Sequence, residues 1–214
     1  MGRRIKMSKV CVLNHSLLKH KITLLRDEKT DVRDFRQLLY EIASLICYEA
    51  TKEMTLVDKE VKTPLCTTVG AVLPKQPVLV PILRAGLGMV EPFINLIPAA
   101  KVGHIGLARN HETLEPEEYY CNLPSDIGER EVIVLDPMLA TGGSGSAAIE
   151  FIKKRGAKNI KFACIIAAPE GIDVIKKDHP DVDLFVGYLD EKLNDVGYIM
   201  PGLGDAGDRL FGTI

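Results

Sequence analysis

The chain has 214 residues, 46% of them apolar, so it can bury one substantial core without disulfides or metal ions. Its net charge is −2, and acidic and basic residues are mixed along it. Such a balance argues against a field strong enough to draw the protein onto nucleic acid or a membrane, and we expect neither partner. Any phosphate chemistry therefore requires a local site.

The five cysteines are scattered, with no CxxC pair and no histidine at ligand spacing. This pattern argues against a disulfide framework and against a zinc site. No apolar run has the length of a signal peptide core or of a membrane span. We therefore expect reduced thiols and a cytoplasmic protein.

The first strong pattern along the chain lies between Asp31 and about Met54, where apolar residues recur at three- and four-residue spacing. It predicts a long amphipathic helix capped by Thr30 or Asp31. The apolar, β-branched run at residues 78–83 predicts a buried strand, and residues 84–88 predict a turn into a helix.

The same order of elements then repeats. Residues 132–135 predict a strand that leads through a Gly-rich loop into a helix ending near Arg155, and residues 160–168 predict a further strand before a helix at Pro169. Alternating strands and helices of these lengths predict a doubly wound α/β fold, with a mostly parallel sheet and flanking helices.

Two segments do not fit that alternation. Residues 109–123 are polar, acidic and aromatic without a helical stripe, and we expect a projecting hairpin or lid there. The tail at residues 197–211 is Gly-rich and has no clear period, so we expect an irregular C-terminal segment. Since no linker or repeat divides the chain, residues 1–214 are interpreted as one domain.

The loop Asp136-Pro-Met-Leu-Ala-Thr-Gly-Gly-Ser144 carries the most chemistry. An acid ends a buried strand, and hydroxyls, glycine N–H groups and a helix N-terminus follow it. That combination suits a phosphate monoester, while the acid can bond vicinal hydroxyls. The spacing therefore suggests a ribose 5-phosphate site.

Other interpretations of this loop remain. Gly142 and Gly143 can simply make a tight turn, with Asp136 as a cap. A P-loop requires a Lys directly after the glycines, and none is present. Residues 143–148 fit the dinucleotide pattern GxGxxA, but the first glycine lies well beyond the strand end, so that match is weak.

The loop resembles the phosphoribosyl diphosphate loop of type I phosphoribosyltransferases, and in this form it resembles the uracil phosphoribosyltransferase family. Similar stretches are VPILRAGLG around Arg84, Arg109 with ETLEP, AAPEGI at residues 167–172 and GYIMPGLGDAGDR at residues 197–209. Most type I enzymes have two adjacent acids at the loop start. Here Pro137 replaces the second acid, which is typical of the uracil branch.

The resemblance implies transfer of a phosphoribosyl group from 5-phosphoribosyl 1-diphosphate to uracil, giving UMP and diphosphate, with Mg²⁺ held through substrate oxygens rather than by a protein cage. The implied residues for the diphosphate donor are Arg84, Arg109, Asp136, Pro137, Met138, Leu139, Ala140, Thr141, Gly142, Gly143, Ser144 and Asp205. The implied uracil contacts are Ile199, Gly204, Asp205 and Ala206, mostly through the main chain.

For catalysis, Arg84 and Arg109 are candidates to stabilise the departing diphosphate, and Asp205 is a candidate to orient or deprotonate the base. The alternative interpretation of Arg84 is a surface arginine at a helix start. That of Arg109 is an exposed hairpin arginine, and that of Asp205 is a turn residue. None of the five histidines matches a motif position.

The resemblance also implies a homodimer or homotetramer, and a GTP effector in some relatives. Two alternatives stay open: a phosphoribosyltransferase for another base, and an RNA-binding regulator of pyrimidine genes on the same fold. The sequence of the tail argues against a phosphoribosyltransferase for another base. The absence of a basic face speaks against RNA binding.

Overall fold

The computed structural model describes residues 8–109 and 116–213, with the side chains of Arg109 and Pro116 outside that description. The described helices are α1 (Ser16–Arg26), α2 (Val32–Ala50), α3 (Val90–Leu96), α4 (Gly143–Lys154), α5 (Pro169–Asp178) and α6 (Ala206–Phe211). The described strands are β1 (Val10–Val12), β2 (Val57–Lys62), β3 (Thr67–Val72), β4 (Val78–Leu83), β5 (Lys101–Val102), β6 (His104–Arg109), β7 (Pro116–Asn122), β8 (Glu131–Leu135), β9 (Met138–Leu139), β10 (Asn159–Ala167), β11 (Asp183–Leu189), β12 (Lys192–Leu193) and β13 (Ile199–Met200).

One sheet forms the centre of the molecule, with its strands in the order β1-β11-β10-β8-β4-β6-β7. Neighbouring strands along it are parallel except β6 and β7, which are antiparallel. Two short strands join beside this path, β5 on β4 and β9 on β10. The predicted doubly wound, mostly parallel sheet is confirmed.

Helices cover both faces of the sheet because its central strands are apolar on both sides. Leu79 and Leu135 point into the core shared with α1, α2, α3 and α6. Val80 and Val134 point into the second core, shared with α4 and α5. None of the described helices is long and apolar enough to cross a membrane.

Local signals set several helix ends as predicted. Asp31 caps α2, its side chain accepting a hydrogen bond from the N–H of Asp34 at 2.9 Å. The helix ends at Ala50, earlier than the predicted Met54. Gly156, with φ +99°, follows the end of α4, and Pro169 occupies the first turn of α5.

The predicted boundaries of the hairpin near residues 109–123 require correction. Its first strand is β6, which begins at His104, and residues 110–115 lie outside the described residues. Since β6 also pairs with β4, the hairpin continues the central sheet.

A different hairpin, formed by β2 and β3, was not predicted. Both of its strands are almost entirely exposed. Val57-Asp-Lys-Glu-Val-Lys62 mixes charges with valines, so it lacks the apolar run that marked the buried strands.

The tail is more regular than expected. A short pairing joins β12 to β13, and α6 follows it. Asp205 caps the start of α6, and Gly212, with φ +70°, ends it.

Candidate active site

The crevice between the carboxyl ends of β4 and β8 is the place where the winding of the sheet reverses. The chain leaves β4 for β6 and β7, then crosses back to β8, which lies on the other side of β4. Ligands bind at such switch points in open α/β sheets. Arg84 follows β4, and Asp136 follows β8.

Glycine permits the close packing of these two strand ends. A Cβ atom on Gly86 would lie 2.4 Å from the carbonyl oxygen of Leu135. Only a residue without a side chain therefore lets the turn after β4 approach the end of β8 so closely.

The loop of residues 136–144, termed the donor loop below, is held in place by the sheet. Its middle forms β9, which pairs with Ile166 and Ala167 of β10, and the side chain of Leu139 is buried. Prediction treated these nine residues as a single loop. The structure divides them into an acid, a short strand and a helix start.

The end of the donor loop has the geometry that an anion site requires. Gly142 caps α4 with φ +83°, and the first intrahelical bond runs from the N–H of Ser146 to the carbonyl of Gly142 at 2.8 Å. The preceding N–H groups of α4 have no partner within the helix, and among the described residues Gly143 N makes a long contact of 3.5 Å with Thr141 Oγ1. Thr141 and Ser144 are exposed beside them.

Asp136 directly follows β8 and is partly exposed as a residue, although its carboxyl group is buried. Its Oδ1 atom accepts a hydrogen bond from the N–H of Met138 at 3.2 Å. Burial raises the pKa of this carboxyl to about 7, and the charge of Asp205 adds to the increase.

The tail lies close to both the donor loop and the turn after β4. A Cβ atom on Gly197 would lie 3.5 Å from Thr141 Cγ2, and one on Gly207 would lie 3.8 Å from Ala85 Cβ. Asp205 is exposed, and its Oδ1 accepts a hydrogen bond from the N–H of Asp208 at 2.9 Å. Asp205 therefore caps α6 while its side chain remains exposed in the tail.

Of the remaining predicted tail residues, Ile199 and Ala206 are buried, and Gly204 is exposed with φ +80°. All of them lie within one short stretch that leads to Gly207, the residue close to Ala85 in the turn after β4. Main-chain groups at these positions can reach a planar ligand because the glycine has no side chain to block it.

Arg84 extends from the start of the helical turn after β4. Its side chain is 61% exposed, with Nη2 3.6 Å from Asp208 Oδ1 and the guanidinium 5.8 Å from the ring centre of Phe211. The ion pair with Asp208 is longer than a hydrogen bond, so the guanidinium can turn to a phosphate. The backbone of Arg109 ends β6, while its side chain lies outside the described residues.

Within residues 8–109 and 116–213, no group of three or more His, Cys, Asp or Glu side chains is placed to hold a metal ion. Asp136, which follows β8, and Asp205, which caps α6, nevertheless each supply a carboxyl group, the second of them on an exposed residue. Mg²⁺ binds through one or two carboxylates together with substrate phosphates, so these residues fit such an ion.

Sequence reasoning missed the residues that support the tail, namely Arg26, Asp190 and Arg209. Asp190 follows the buried strand β11 as Asp136 follows β8, so the position of an acid after an apolar run was an available signal. Nothing local marks Arg26, the last residue of α1, because its partners are distant in the sequence.

The fold is that of the type I phosphoribosyltransferases. The crystal structure of a purine phosphoribosyltransferase from Pyrococcus horikoshii has a TM-score of 0.50 at 20% identity, over 72% of this chain and 84% of that one. A likeness at that identity concerns the fold alone.

The chain belongs to the uracil phosphoribosyltransferase family, whose model matches residues 12–213. Curated relatives named uracil phosphoribosyltransferase, from Finegoldia magna and Clostridium tetani, are 63% and 60% identical over 97% of this chain and 100% of theirs. A solved structure of a protein from Aquifex aeolicus is 44% identical, with a TM-score of 0.88 over 94% of this chain and 97% of that one. The predicted family is thereby confirmed.

Proposed function

We propose that this chain transfers the 5-phosphoribosyl group of 5-phosphoribosyl 1-diphosphate to uracil, giving UMP and diphosphate. The observation that carries the proposal is the meeting of three segments at one switch point: Arg84 after β4, the donor loop after β8, and the tail. Membership of the family supports uracil as the acceptor.

The donor loop binds the ribose 5-phosphate end of the donor in this proposal. The start of α4, with the hydroxyls of Thr141 and Ser144, receives the phosphate. Asp136 lies at the other end of the loop and accepts hydrogen bonds from the ribose hydroxyls, which are stronger when the carboxyl is ionised. Residues 137–140 set the distance between these two ends.

Arg84 and Arg109 stabilise the diphosphate as it leaves, because guanidinium groups can bond two phosphate oxygens at once. The exposed, weakly paired side chain of Arg84 supports this role. When bound with the diphosphate, Mg²⁺ would supply further neutralisation of charge, and Asp136 and Asp205 are the residues suited to face it.

Uracil binds to the main chain at Ile199 and at Gly204, Asp205 and Ala206. The carbonyl and N–H groups there match the alternating acceptors and donor on one edge of the base. The side chain of Asp205 orients or deprotonates the base, and the sugar passes through an oxocarbenium-like transition state held between base and diphosphate. Arg84 and Arg109 are catalytic in this proposal because they touch the leaving group.

The direct test is formation of UMP from uracil and 5-phosphoribosyl 1-diphosphate with Mg²⁺ present, followed by chromatography. Orotate, cytosine and hypoxanthine are the comparison bases. We expect UMP alone to form at a substantial rate. A nucleotide formed from another base, with none from uracil, would overturn the choice of acceptor while leaving the donor site intact.

We further propose that residues 1–214 act as one domain in a homodimer or homotetramer. The exposed hairpin β2–β3 supports an assembly, because a lone two-stranded hairpin is only marginally stable in water. Its exposed apolar side chains, with that of the residue before it, are Leu56, Val57, Val61, Leu65, Val69 and Val72. Sedimentation of the wild type and of Leu65→Asp tests this, since Leu65 is 95% exposed in one chain.

A GTP effector and a cytoplasmic location complete the proposal. All five cysteines are free, which suits a reducing compartment. The rate of UMP formation with and without GTP tests activation, and an unchanged rate at saturating and subsaturating donor would remove the effector.

A further inference from the structure

A buried ion pair lies beneath the tail. Asp190 is 4% exposed and follows β11, and Arg26 is the last residue of α1. The guanidinium contacts both carboxylate oxygens, with Nη2 2.5 Å from Oδ1 and Nη1 2.9 Å from Oδ2. It also lies 5.0 Å from the ring centre of Tyr188. The pair is therefore bidentate and enclosed on one side by an aromatic ring.

Arg26 and Asp190 also form hydrogen bonds with both main-chain groups of one tail residue, Gly202. Arg26 Nη1 donates to the carbonyl of Gly202 at 2.8 Å, and the N–H of Gly202 donates to Asp190 Oδ2 at 3.2 Å. Gly202 has φ +66°, and a Cβ atom on it would lie 2.1 Å from the carbonyl oxygen of Ile199. The ion pair thus fixes a tightly folded turn in the tail.

The next residue is held from the same side. Arg209 Nη1 donates to the carbonyl of Leu203 at 2.9 Å, and Nη2 donates to the carbonyl of Asp27 at 2.7 Å. The guanidinium lies 4.5 Å from the ring centre of Phe35. Residues 202 and 203 are consequently attached to the end of α1 and the start of α2.

These anchored residues lie between the proposed uracil contacts, Ile199 on one side and Gly204–Ala206 on the other. A base bound by main-chain groups is selected by where those groups point, so the selecting side chains are those that hold the backbone. A buried ion pair adds little net stability compared with apolar residues, but it can fix one conformation. That combination favours a positioning role over a purely stabilising one.

We propose that Arg26 and Asp190 are positioning residues for uracil, holding the tail so that its main chain matches the edge of the base. The inference rests on the proposed binding of uracil to Ile199 and Gly204–Ala206. The hydrogen bonds described above join Arg26 and Asp190 to each other and to Gly202 in the tail, so substitution of either residue should act on the binding of uracil.

The test uses the full-length variants Asp190→Asn, Arg26→Lys and the double variant Arg26→Met with Asp190→Leu. We expect the KM for uracil to rise roughly 10- to 100-fold in Asp190→Asn and the double variant, since displacement of a bound substrate by about 1 Å has effects of that size. Arg26→Lys keeps the positive charge but loses the bidentate geometry of the guanidinium, so its KM for uracil should be intermediate. The KM for the diphosphate donor should stay within about twofold.

A matched control exists at the opposite end of the sheet. Lys161 is 6% exposed, and its Nζ donates to Glu131 Oε1 and to the carbonyl of Ala50, each at 2.8 Å. Lys161→Met therefore breaks another buried ion pair that holds a main-chain carbonyl, away from the crevice. It should lower the melting temperature without a selective change in the KM for uracil.

Equal changes in both KM values, or a KM for uracil that matches the Lys161→Met control, would overturn the positioning role. The double variant keeps the test decisive if Asp190→Asn fails to fold, because it leaves no unpaired buried charge. A wild type that forms no UMP would instead contradict the proposed function, so the two failures are distinguishable.

Discussion

The donor loop and the tail are both rich in glycine, yet different parts of the chain hold them in place. The donor loop is fixed by its neighbours: β8 precedes it, α4 follows it, and β10, the next strand, pairs with its middle. The tail is fixed from far away, by Arg26 at the end of α1 and Asp190 at the end of β11.

This difference separates two ways of building a binding site. A strand, a tight loop and a helix start form an anion site from one contiguous stretch, which many sequences can reproduce. A base-binding segment with few side chains of its own depends on remote side chains for its shape. The part of the site that binds the diphosphate donor, the donor half, should therefore respond to substitutions within the donor loop. The part that binds uracil, the acceptor half, should respond to substitutions outside the tail.

The largest effect is expected at Arg84. This residue follows β4 and lies outside the donor loop, but it belongs to the donor half because it is proposed to bind the diphosphate. Arg84→Ala should lower kcat/KM for the diphosphate donor about 10²- to 10³-fold, the usual loss for one group that stabilises developing charge. The KM for uracil should change little. Steady-state kinetics with each substrate varied measures both.

Arg84→Lys and Lys177→Ala are the matched variants. Arg84→Lys keeps the positive charge but loses the bidentate geometry of the guanidinium, so the decrease in its kcat/KM for the donor should be intermediate. The second removes an exposed cation from α5 and should leave the kinetics unchanged. A loss in Lys177→Ala comparable to that in Arg84→Ala would mean that the general field, rather than Arg84, attracts the donor.

The same contrast explains which parts of the molecule could be predicted from its sequence. The buried strands, the helix starts at Asp31 and Pro169 and the donor loop all depend on local patterns. The support of Gly202 by Arg26 and Asp190 depends on tertiary contacts, and no spacing in the sequence marks them. The exposed hairpin β2–β3 was missed because neither of its faces is buried in the chain alone.

The next effect concerns Asp136, where function and stability should diverge. Asp136→Asn removes the carboxylate for the ribose hydroxyls, and kcat/KM for the donor should fall about 10- to 100-fold, since hydrogen bonds to charged groups contribute about 1.5–3 kcal/mol. The KM for uracil should change less. A loss that falls equally on both substrates would contradict the division between the two halves.

The pH dependence of stability follows from the pKa of about 7 for Asp136 in the folded protein. Between the ordinary value of 3.8 and about 7, the folded state holds a proton that the unfolded state has released, so stability falls as pH rises through that window. The Asp136→Asn variant has no titrating carboxyl group at this position, so it does not lose stability in this way as pH rises. Its melting temperature relative to wild type should therefore increase from pH 4 to pH 7 and then level off.

A smaller effect is expected from Gly142→Ala, which perturbs the donor loop from within. The substitution places a side chain at φ +83°, and its Cβ would lie 2.8 Å from Val174 Cβ and 3.0 Å from the carbonyl of Gly171. The conformation alone costs about 1–2 kcal/mol. We expect roughly a tenfold rise in the KM for the donor, measured together with urea unfolding.

Gly156→Ala isolates the conformational part of that loss. Gly156 has φ +99° and no atom within 4 Å of its ideal Cβ position, so it lacks the contacts of Gly142. It should lose stability by about 1–2 kcal/mol without a change in the KM for the donor. If the two variants behaved alike in kinetics, the shape of the donor loop would not control donor binding.

The smallest effect tests whether the tail also influences the donor half, through the 3.6 Å contact between Asp208 and Arg84. An exposed pair of this kind contributes about 0–1 kcal/mol, and its carboxylate competes with the diphosphate for Arg84. Asp208→Asn should therefore lower the KM for the donor by up to about threefold, whereas Asp173→Asn, on the exposed face of α5, should not change it. A rise in that KM would show that Asp208 orients Arg84 instead of competing for it, and the tail would then serve both substrates.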